Sequence, residues 1–410
     1  MWSGLRTCGD AIIRIAREKC FSTLDSHAIQ GHVLRAMQAN LSAAELARYS
    51  RHLLIPDIGV EGQLRLKNAS VLLIGTGALG SPAALYLAAA GVGRLGLVDA
   101  DEVDVSNLQR QVLHGESWIG KPKIESAAAR LREINPHVEL ELHRVRFAPD
   151  NAMAIAARYD VLVDGSDNFP TRFLTNDVAC LLKKPLVYGA IHRFEGQATI
   201  FAPHLGGPCY RCMVPEMPAP GSVPSCAEAG VLGVLPGIIG SIQAMETLKL
   251  ILCIGELPLG KLTVYDALKS SFRSLRISRD PQCRLCGASP TIDSVANAET
   301  LASIACAASR DEVPAITTDR LREILNGAFD GLLIDVREPH EHAVSRIDGA
   351  RLIPLRELPS MLAQLPRDRE IIVHCKSGAR SARAVKLMLE SGFPRVTNVQ
   401  GGVDAWLAGR

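Results

Sequence analysis

Three groups of residues in this sequence have types and spacings that could do chemistry. The first is Gly75-Thr-Gly77-Ala78-Leu-Gly80, which follows the apolar run Val71–Ile74 and opens an alanine-rich segment. Glycines there permit a tight turn and let a phosphate approach the free backbone N–H groups of a starting helix. Asp99 closes the run LGLVD about 20 residues on, where a carboxylate can accept hydrogen bonds from ribose hydroxyls. On their own these residues fit NAD, FAD or ATP. The second group is Cys209-x-x-Cys212 with Cys283-x-x-Cys286. Two thiolate pairs far apart in sequence have the composition of a tetrahedral zinc site with no open position, hence a structural one; chance CxxC pairs and a redox dithiol are the competing readings. The third is Cys375, which follows EIIVH and opens the loop Cys375-Lys376-Ser-Gly-Ala-Arg380 before a helix. Backbone N–H groups and two cations would converge on its sulfur and favour a thiolate or persulfide, although a buried strand-end cysteine without chemistry has the same local pattern.

Further residues turn the first group towards ATP. Asp164-Gly-Ser-Asp167-Asn168 ends the strand DVLVDG, at the edge where open parallel sheets bind ligands. Asp167 there could hold Mg²⁺ beside phosphates, which a nicotinamide site does not need. Asn168 taken alone reads equally as an Asx turn capping the next helix. Asn107, Arg110 and Lys123 add an amide and two cations suited to a triphosphate. Cys226, in PSCAEAGV, is a candidate nucleophile on a loop able to move over the site, or else a small residue packed at the loop base.

The elements that must position these groups alternate between strand and helix, so the fold class is α/β. A first helix, LSAAELARYSRH, has Ser42 and Glu45 at capping-box spacing and ends near Arg48 and Arg51. The βαβ unit of residues 71–111 follows, then helix KPKIESAAARLREINP, strands VELELHRV and DVLVDG, helix TRFLTNDVACLLKK, and strands PLVYGAIH and GQATIFAP. This predicts a large, mostly parallel sheet. Residues 206–230, rich in Pro and Gly, read as a mobile loop. The apolar stretch 231–255 contains Pro236, Gln243, Glu246 and Lys249, which suit a buried helix rather than a membrane span. Cys283–Cys286 closes a first domain, 41–287; the Ala- and Ser-rich stretch 288–312 reads as a linker. Residues 313–410 restart the α/β rhythm as a smaller doubly wound domain. Residues 1–40 have no clear pattern and read as a flexible extension; Asp10, Glu18 and Asp25 argue against a transit peptide. With 45 Lys and Arg against 43 Asp and Glu, no global field recruits nucleic acid or an anionic membrane. An odd 11 cysteines without a secretory signal suit a reducing cytoplasm.

GTGALG, DADEVDVSNLQRQ, GKPK, DGSDN, CYRC, CAEAGV and CRLC occur in an order that resembles the E1-like adenylyltransferases of ubiquitin-like sulfur carriers, the molybdopterin-synthase adenylyltransferase (MoeB/ThiF) type, over residues 42–287. The resemblance implies a Rossmann-like E1 domain with structural zinc. Gly75, Gly77, Ala78 and Gly80 would form the loop, Asp99 would hold the ribose, and Ser106, Asn107, Leu108, Gln109, Arg110, Lys123 and Asn168 would border ATP. Asp167 would bind Mg²⁺, and Arg51 of RYSRH would reach the phosphates of the other subunit's site in a homodimer. Ala78 departs from the GxGGxG form of many members, and its small side chain is expected to leave the loop intact. The implied reaction is attack by the C-terminal glycine carboxylate of a Gly-Gly-ended carrier on the α-phosphate of ATP, and a cysteine at the place of Cys226 can carry the acyl group as thioester or acyl-disulfide.

LIDVREPHEH, GARLIPL, CKSGAR and NVQGGVDAW resemble a single-domain rhodanese over residues 313–410. That implies Cys375 as the persulfide carrier, Arg380 helping to hold the anionic sulfur, Asp335 and Arg337 as a structural pair, and Lys376 where many members have Arg. The fusion resembles the adenylyltransferase/sulfurtransferase proteins of molybdenum-cofactor and tRNA-thiolation pathways. Its implied partners are the carrier, a sulfur donor such as a cysteine desulfurase or thiosulfate, and a second copy, with no nucleic acid and no membrane. Two other classes compete: an NAD-dependent oxidoreductase, in which the cysteines have no role, and a non-catalytic sulfur- or redox-sensing scaffold.

Overall fold

Continuous apolar runs suit strands covered on both faces by helices, and Ser70–Ile74 is such a strand, buried at every position. A computed structural model describes residues 40–218, 230–295, 313–327 and 329–409. They fall into two compact units, divided within 296–312. The first runs β1 (Ser70–Ile74), α1 (Gly80–Ala90), β2 (Arg94–Val98), α2 (Lys123–Ile134), β3 (Glu139–His143), β4 (Val161–Asp164), α3 (Phe169–Leu181), β5 (Leu186–His192), β6 (Glu195–Phe201), α4 (Val234–Leu252), β7 (Lys261–Asp266) and β8 (Ser271–Arg276). The strands form one sheet in the order β3-β2-β1-β4-β5-β6-β7-β8. Pairings are parallel as far as β5 and antiparallel from β5 to β8.

The chain lays β2 and β3 on one side of β1, then β4 and β5 on the other, so a topological switch lies between β1 and β4. In such sheets ligands bind outside the carboxyl ends of the strands at that switch. The turns after β1 and β4 are pressed together there: a Cβ on Gly165 would lie 2.7 Å from the Gly75 carbonyl oxygen. The helix α4 is long and apolar enough to cross a bilayer by length and composition, yet it is a core helix. Its Gln243 amide donates to the carbonyls of Asp164 and Val187, and its Gly240 lets it sit against Leu79 and Pro82 at the start of α1.

The second unit runs β9 (Ala315–Ile316), α5 (Thr318–Asn326), β10 (Leu332–Asp335), α6 (Pro339–Val344), β11 (Arg351–Leu352), β12 (Ile371–His374), α7 (Ala379–Glu390), β13 (Val396–Val399) and α8 (Gly402–Ala408). Its sheet has the order β11-β10-β12-β13-β9 and is parallel throughout. Central β12 is buried at all four positions and delivers Cys375 at its carboxyl end.

Several local expectations change. The capping box of Ser42 and Glu45 is present, but the helix breaks at Tyr49, whose buried hydroxyl accepts a hydrogen bond from Asn135; Ser50–Leu53 continues as a separate turn. The predicted loop 206–230 is structured at its start, where Tyr210–Met213 is helical. Residues 288–292, assigned to the linker, fold back on the cysteine pairs: Thr291 and Ile292 donate to the Arg284 carbonyl, and Ile292 is buried. The helix α6 was not foreseen, although Pro339 at its first turn and the box of Glu338 and Glu341 are start signals.

Candidate functional site

The three glycines after β1 have different reasons to lack a side chain. Gly75 is left-handed (φ 93°), and its N–H donates to the Val98 carbonyl. At Gly80 a Cβ would lie 2.0 Å from the Gly75 carbonyl oxygen, so this glycine lets helix and strand approach. Gly77 is neither left-handed nor crowded: its Cβ would meet only the Gln111 side chain, at 3.5 Å. Ala78 sits in the turn leading to α1, which has no side-chain cap at its amino end. An uncapped helix start, with an added side chain excluded by nothing in the fold, suits a phosphate.

Asp99 is built into this loop. Its Oδ2 accepts from the N–H and the hydroxyl of Thr76, both at 2.9 Å, and its Oδ1 accepts from the Asp101 N–H at 2.9 Å. A carboxylate oxygen accepts two bonds, so Oδ1 retains capacity for a ribose hydroxyl. Lys123, at the start of α2, is buried, and its Nζ pairs with Asp101 at 2.9 Å. Arg110 folds back on its own turn and donates to the Ser106 carbonyl. Asn107 is half-buried and its carbonyl closes that turn, while Ser106 and Gln109 are exposed and Leu108 half-buried. Two neighbours were not anticipated. Gln111 is buried against Gly77, and His114 is buried between the Thr76 carbonyl and Ser126.

At the turn after β4, Asp164 is structural: buried, its Oδ1 accepts from the N–H and hydroxyl of Ser166, and burial pushes its carboxyl up. Asp167 is exposed at the same turn, an oxygen donor of the kind Mg²⁺ takes. Asn168 caps α3 through the Thr171 N–H, which is the Asx reading. Arg51 is exposed on the turn Ser50–Leu53. Cys226 lies outside the described residues, as do 1–39 and most of 288–312.

The other end of α3 holds the cysteine quartet. Sγ distances are 3.5 Å for Cys209–Cys283, 3.8 Å for Cys209–Cys212 and 3.4 Å for Cys212–Cys286, and all four sulfurs lie within 4.8 Å of one another. Zinc bonds of about 2.3 Å in a tetrahedron would separate the sulfurs by about 3.8 Å, so the donor set fits zinc. Contact between the sulfurs makes the protons unequal: Cys209 pushes Cys212 down, while Cys212 and Cys283 push Cys209 up. Zinc bound to these thiolates would tie the segment after β6 to the end of the domain. Arg211, between two of the ligands, is buried and forms a bidentate pair with the buried Asp177 of α3, at 2.6 and 2.7 Å. The Asn176 side chain accepts from the Tyr210 N–H. These partners carried no sequence signal.

In the second unit Cys375 is buried, with its sulfur 3.1 Å from the Gly378 N–H and 3.4 Å from the Ser381 hydroxyl. Gly378 is left-handed (φ 98°) and caps α7, which wraps the loop around the sulfur. Such donors stabilise a sulfur anion. Lys376 is exposed, and Arg380 makes a bidentate pair with Glu341 of α6, at 2.6 and 2.7 Å. Its guanidinium is therefore held beside the loop by a carboxylate. Asp335 and Arg337 form a buried pair that ties β10 to Ser345, and His342 also bonds Asp335. Burial alone would raise the Asp335 carboxyl, but Arg337 and His374 hold it below its usual range. His374, next to the thiol, is fully buried; its Nδ1 lies 3.9 Å from an Asp335 oxygen, and among the described residues no side chain hydrogen-bonds either ring nitrogen, so burial lowers its pKa to about 4.

A nucleotide-type loop on one α/β unit and a buried thiol in an N–H-lined strand-to-helix loop on a second fit a class of activating enzyme joined to a sulfurtransferase. Residues 49–285 match the ThiF family and residues 317–409 the rhodanese-like domain, and the chain belongs to the ThiF family, with a rhodanese-like domain behind it. It is 48% identical over 373 residues to a Mycobacterium tuberculosis protein named probable adenylyltransferase/sulfurtransferase MoeZ, a match that covers 89% of this chain and 94% of that one. A Zea mays protein named adenylyltransferase and sulfurtransferase MOCS3-2 is 41% identical over 90% of this chain and 81% of its own length. The sulfur carrier protein adenylyltransferase of Thermus thermophilus is 54% identical over 60% of this chain and 93% of its own. The fold is also similar to that of E. coli MccB solved with AMPCPP and MccA, with a TM-score of 0.52 and 21% identity over 62% of this chain and 76% of that one.

Proposed function

We propose that the protein adenylates the C-terminal glycine of a ubiquitin-like sulfur carrier and then delivers sulfur to it from a Cys375 persulfide. The observation that carries the first half is Gly77, a glycine that the fold does not need beside a carboxylate, Asp99, with capacity to spare. ATP would lie on this loop with its ribose on Asp99. Lys123 and Arg110 would turn from Asp101 and Ser106 to the phosphates, with Mg²⁺ on Asp167. The carrier carboxylate attacks the α-phosphate, pyrophosphate leaves, and cations at the phosphorus neutralise the developing charge. Arg51 would contribute across a homodimer; exposed Leu54, Val60, Tyr86 and Met245 offer apolar area for such an interface.

In the second half, a donor such as a cysteine desulfurase or thiosulfate leaves a terminal sulfur on Cys375. This sulfur attacks the acyl-adenylate and expels AMP, giving an acyl-disulfide between carrier and Cys375. An external dithiol, assisted by Cys226, reduces the acyl-disulfide and releases the carrier thiocarboxylate and the Cys375 thiol. The Gly378 N–H supports this reading of Cys375, since it donates to its sulfur, with the Ser381 hydroxyl 3.4 Å away. An oxidoreductase would give neither Cys375 nor this cradle a role.

The test is ATP–pyrophosphate exchange by the full chain against a panel of Gly-Gly-ended carriers. Exchange is expected with at least one carrier and is retained in Cys375→Ala, whereas thiocarboxylate formation is lost. Absence of exchange with every such carrier refutes the adenylation, and thiocarboxylate made by Cys375→Ala refutes the persulfide.

A further inference from the structure

His114 is a buried titratable residue outside the roles described above. Its Nε2 lies 3.0 Å from the Thr76 carbonyl oxygen, and its Nδ1 lies 3.1 Å from the Ser126 hydroxyl. A carbonyl only accepts, so Nε2 carries the proton, and in the neutral ring Nδ1 accepts from Ser126. Burial, with the nearby Lys123 ammonium, holds this imidazole below its usual range. Ser126 stands on α2, in the same first turn as Lys123. Lys123 pairs with Asp101, the Asp101 N–H donates to Asp99, and Asp99 accepts from Thr76. The contacts thus close a ring through Thr76, Asp99, Asp101, Lys123, α2, Ser126 and His114.

The Thr76 carbonyl is the informative member of this ring. In a planar trans peptide the carbonyl of one residue and the N–H of the next point in opposite directions. Holding the Thr76 oxygen towards His114 therefore aims the Gly77 N–H away from it. That N–H makes no backbone hydrogen bond to a described residue, and Gly77 is the position where the fold leaves room for a ligand. The Ser81 hydroxyl supports the same carbonyl from α1, at 3.3 Å.

We infer that His114 is a positioning residue for nucleotide phosphate: it locks the Thr76–Gly77 peptide so that the Gly77 N–H faces the phosphate, and it ties that peptide to the helix that carries Lys123. The inference rests on the nucleotide reading of the loop. It is tested on the full chain by ATP titration and by ATP–pyrophosphate exchange, comparing wild type with His114→Ala, His114→Gln and Ser126→Ala. Glutamine places an amide N–H near the Nε2 position and is the conservative rescue. His114→Ala is expected to raise the ATP Kd and KM about tenfold or more, as for loss of a hydrogen-bonded donor in a buried site. Its kcat at saturating ATP should stay within about threefold, His114→Gln should bind ATP nearly as wild type, and Ser126→Ala should weaken ATP about threefold. An unchanged Kd in His114→Ala, or equal losses in the alanine and glutamine variants, overturns the inference. If His114→Ala does not fold, an unchanged ATP Kd in Ser126→Ala overturns it instead. Failure of the wild type itself to bind ATP strikes the nucleotide reading, whereas failure of the variants to differ from a binding wild type strikes only the role of His114.

Discussion

Alanine at Gly80 should cost stability, whereas alanine at Gly77 should cost none and instead weaken nucleotide binding. At Gly80 the added carbon would lie 2.0 Å from the Gly75 carbonyl oxygen and 3.0 Å from its carbon. Ordinary contacts lie at 3.4–4 Å, so the backbone of α1 or β1 must move by more than 1 Å. Backbone against backbone has no rotamer escape, which puts the cost at or above about 3 kcal/mol, the upper end for overpacking. For a unit of this size that is roughly a 6–12 °C fall in Tm. At Gly77 the added carbon makes an ordinary 3.5 Å contact with Gln111, and the backbone is not left-handed. Alanine there should leave stability unchanged or raise it by about 0.4–1 kcal/mol, by restricting the unfolded chain. It should nonetheless cost at least one charge-assisted hydrogen bond to phosphate, about 1.5–3 kcal/mol, or a ten- to hundredfold rise in the ATP Kd. Thermal melts and ATP titrations on both variants decide the matter. A Gly77→Ala protein that binds ATP like wild type would remove the argument that this glycine serves a ligand.

Three further outcomes follow from the buried polar groups. Arg211→Met leaves the Asp177 carboxylate buried without its partner and should cost about 3–5 kcal/mol in urea unfolding; adding Asp177→Asn should recover part of this, and a single-variant loss below about 1 kcal/mol contradicts the pair's role. Cys283→Ser should lower zinc from one to well under one equivalent per chain by metal analysis and destabilise the first unit, and unchanged zinc content would dismiss the quartet as the site. His374 binds its proton more weakly folded, at about 4, than unfolded, at about 6.5, so stability of the second unit should fall by about 3 kcal/mol as pH drops through that window. Because the ring is uncharged at pH 7 and makes no short side-chain hydrogen bond among the described residues, His374→Leu should be near neutral there and should flatten that acid limb; a limb that persists in the variant points to other groups.

Chemistry that depends on near neighbours in the chain was legible in the residues themselves. The turn GTGALG, each of the two cysteine pairs and the loop CKSGAR are recognisable in a few consecutive positions, because a glycine turn, a Cys-x-x-Cys knuckle and a strand-to-helix loop are built from local backbone, whereas bringing the two pairs together across 74 positions took the fold. The α/β order was legible for a similar reason, since buried parallel strands must be apolar throughout and helices keep a 3.6-residue period. Tertiary structure alone decided what depends on residues far apart. It separated Gly77 from Gly80, whose neighbours come from different elements, and it paired Arg380 with Glu341 and Arg211 with Asp177, partners 39 and 34 positions apart. It also brought His114 beneath the glycine loop, 38 positions from Thr76. No spacing rule encodes such contacts, because they exist only once each unit's sheet order has brought segments far apart in the chain side by side.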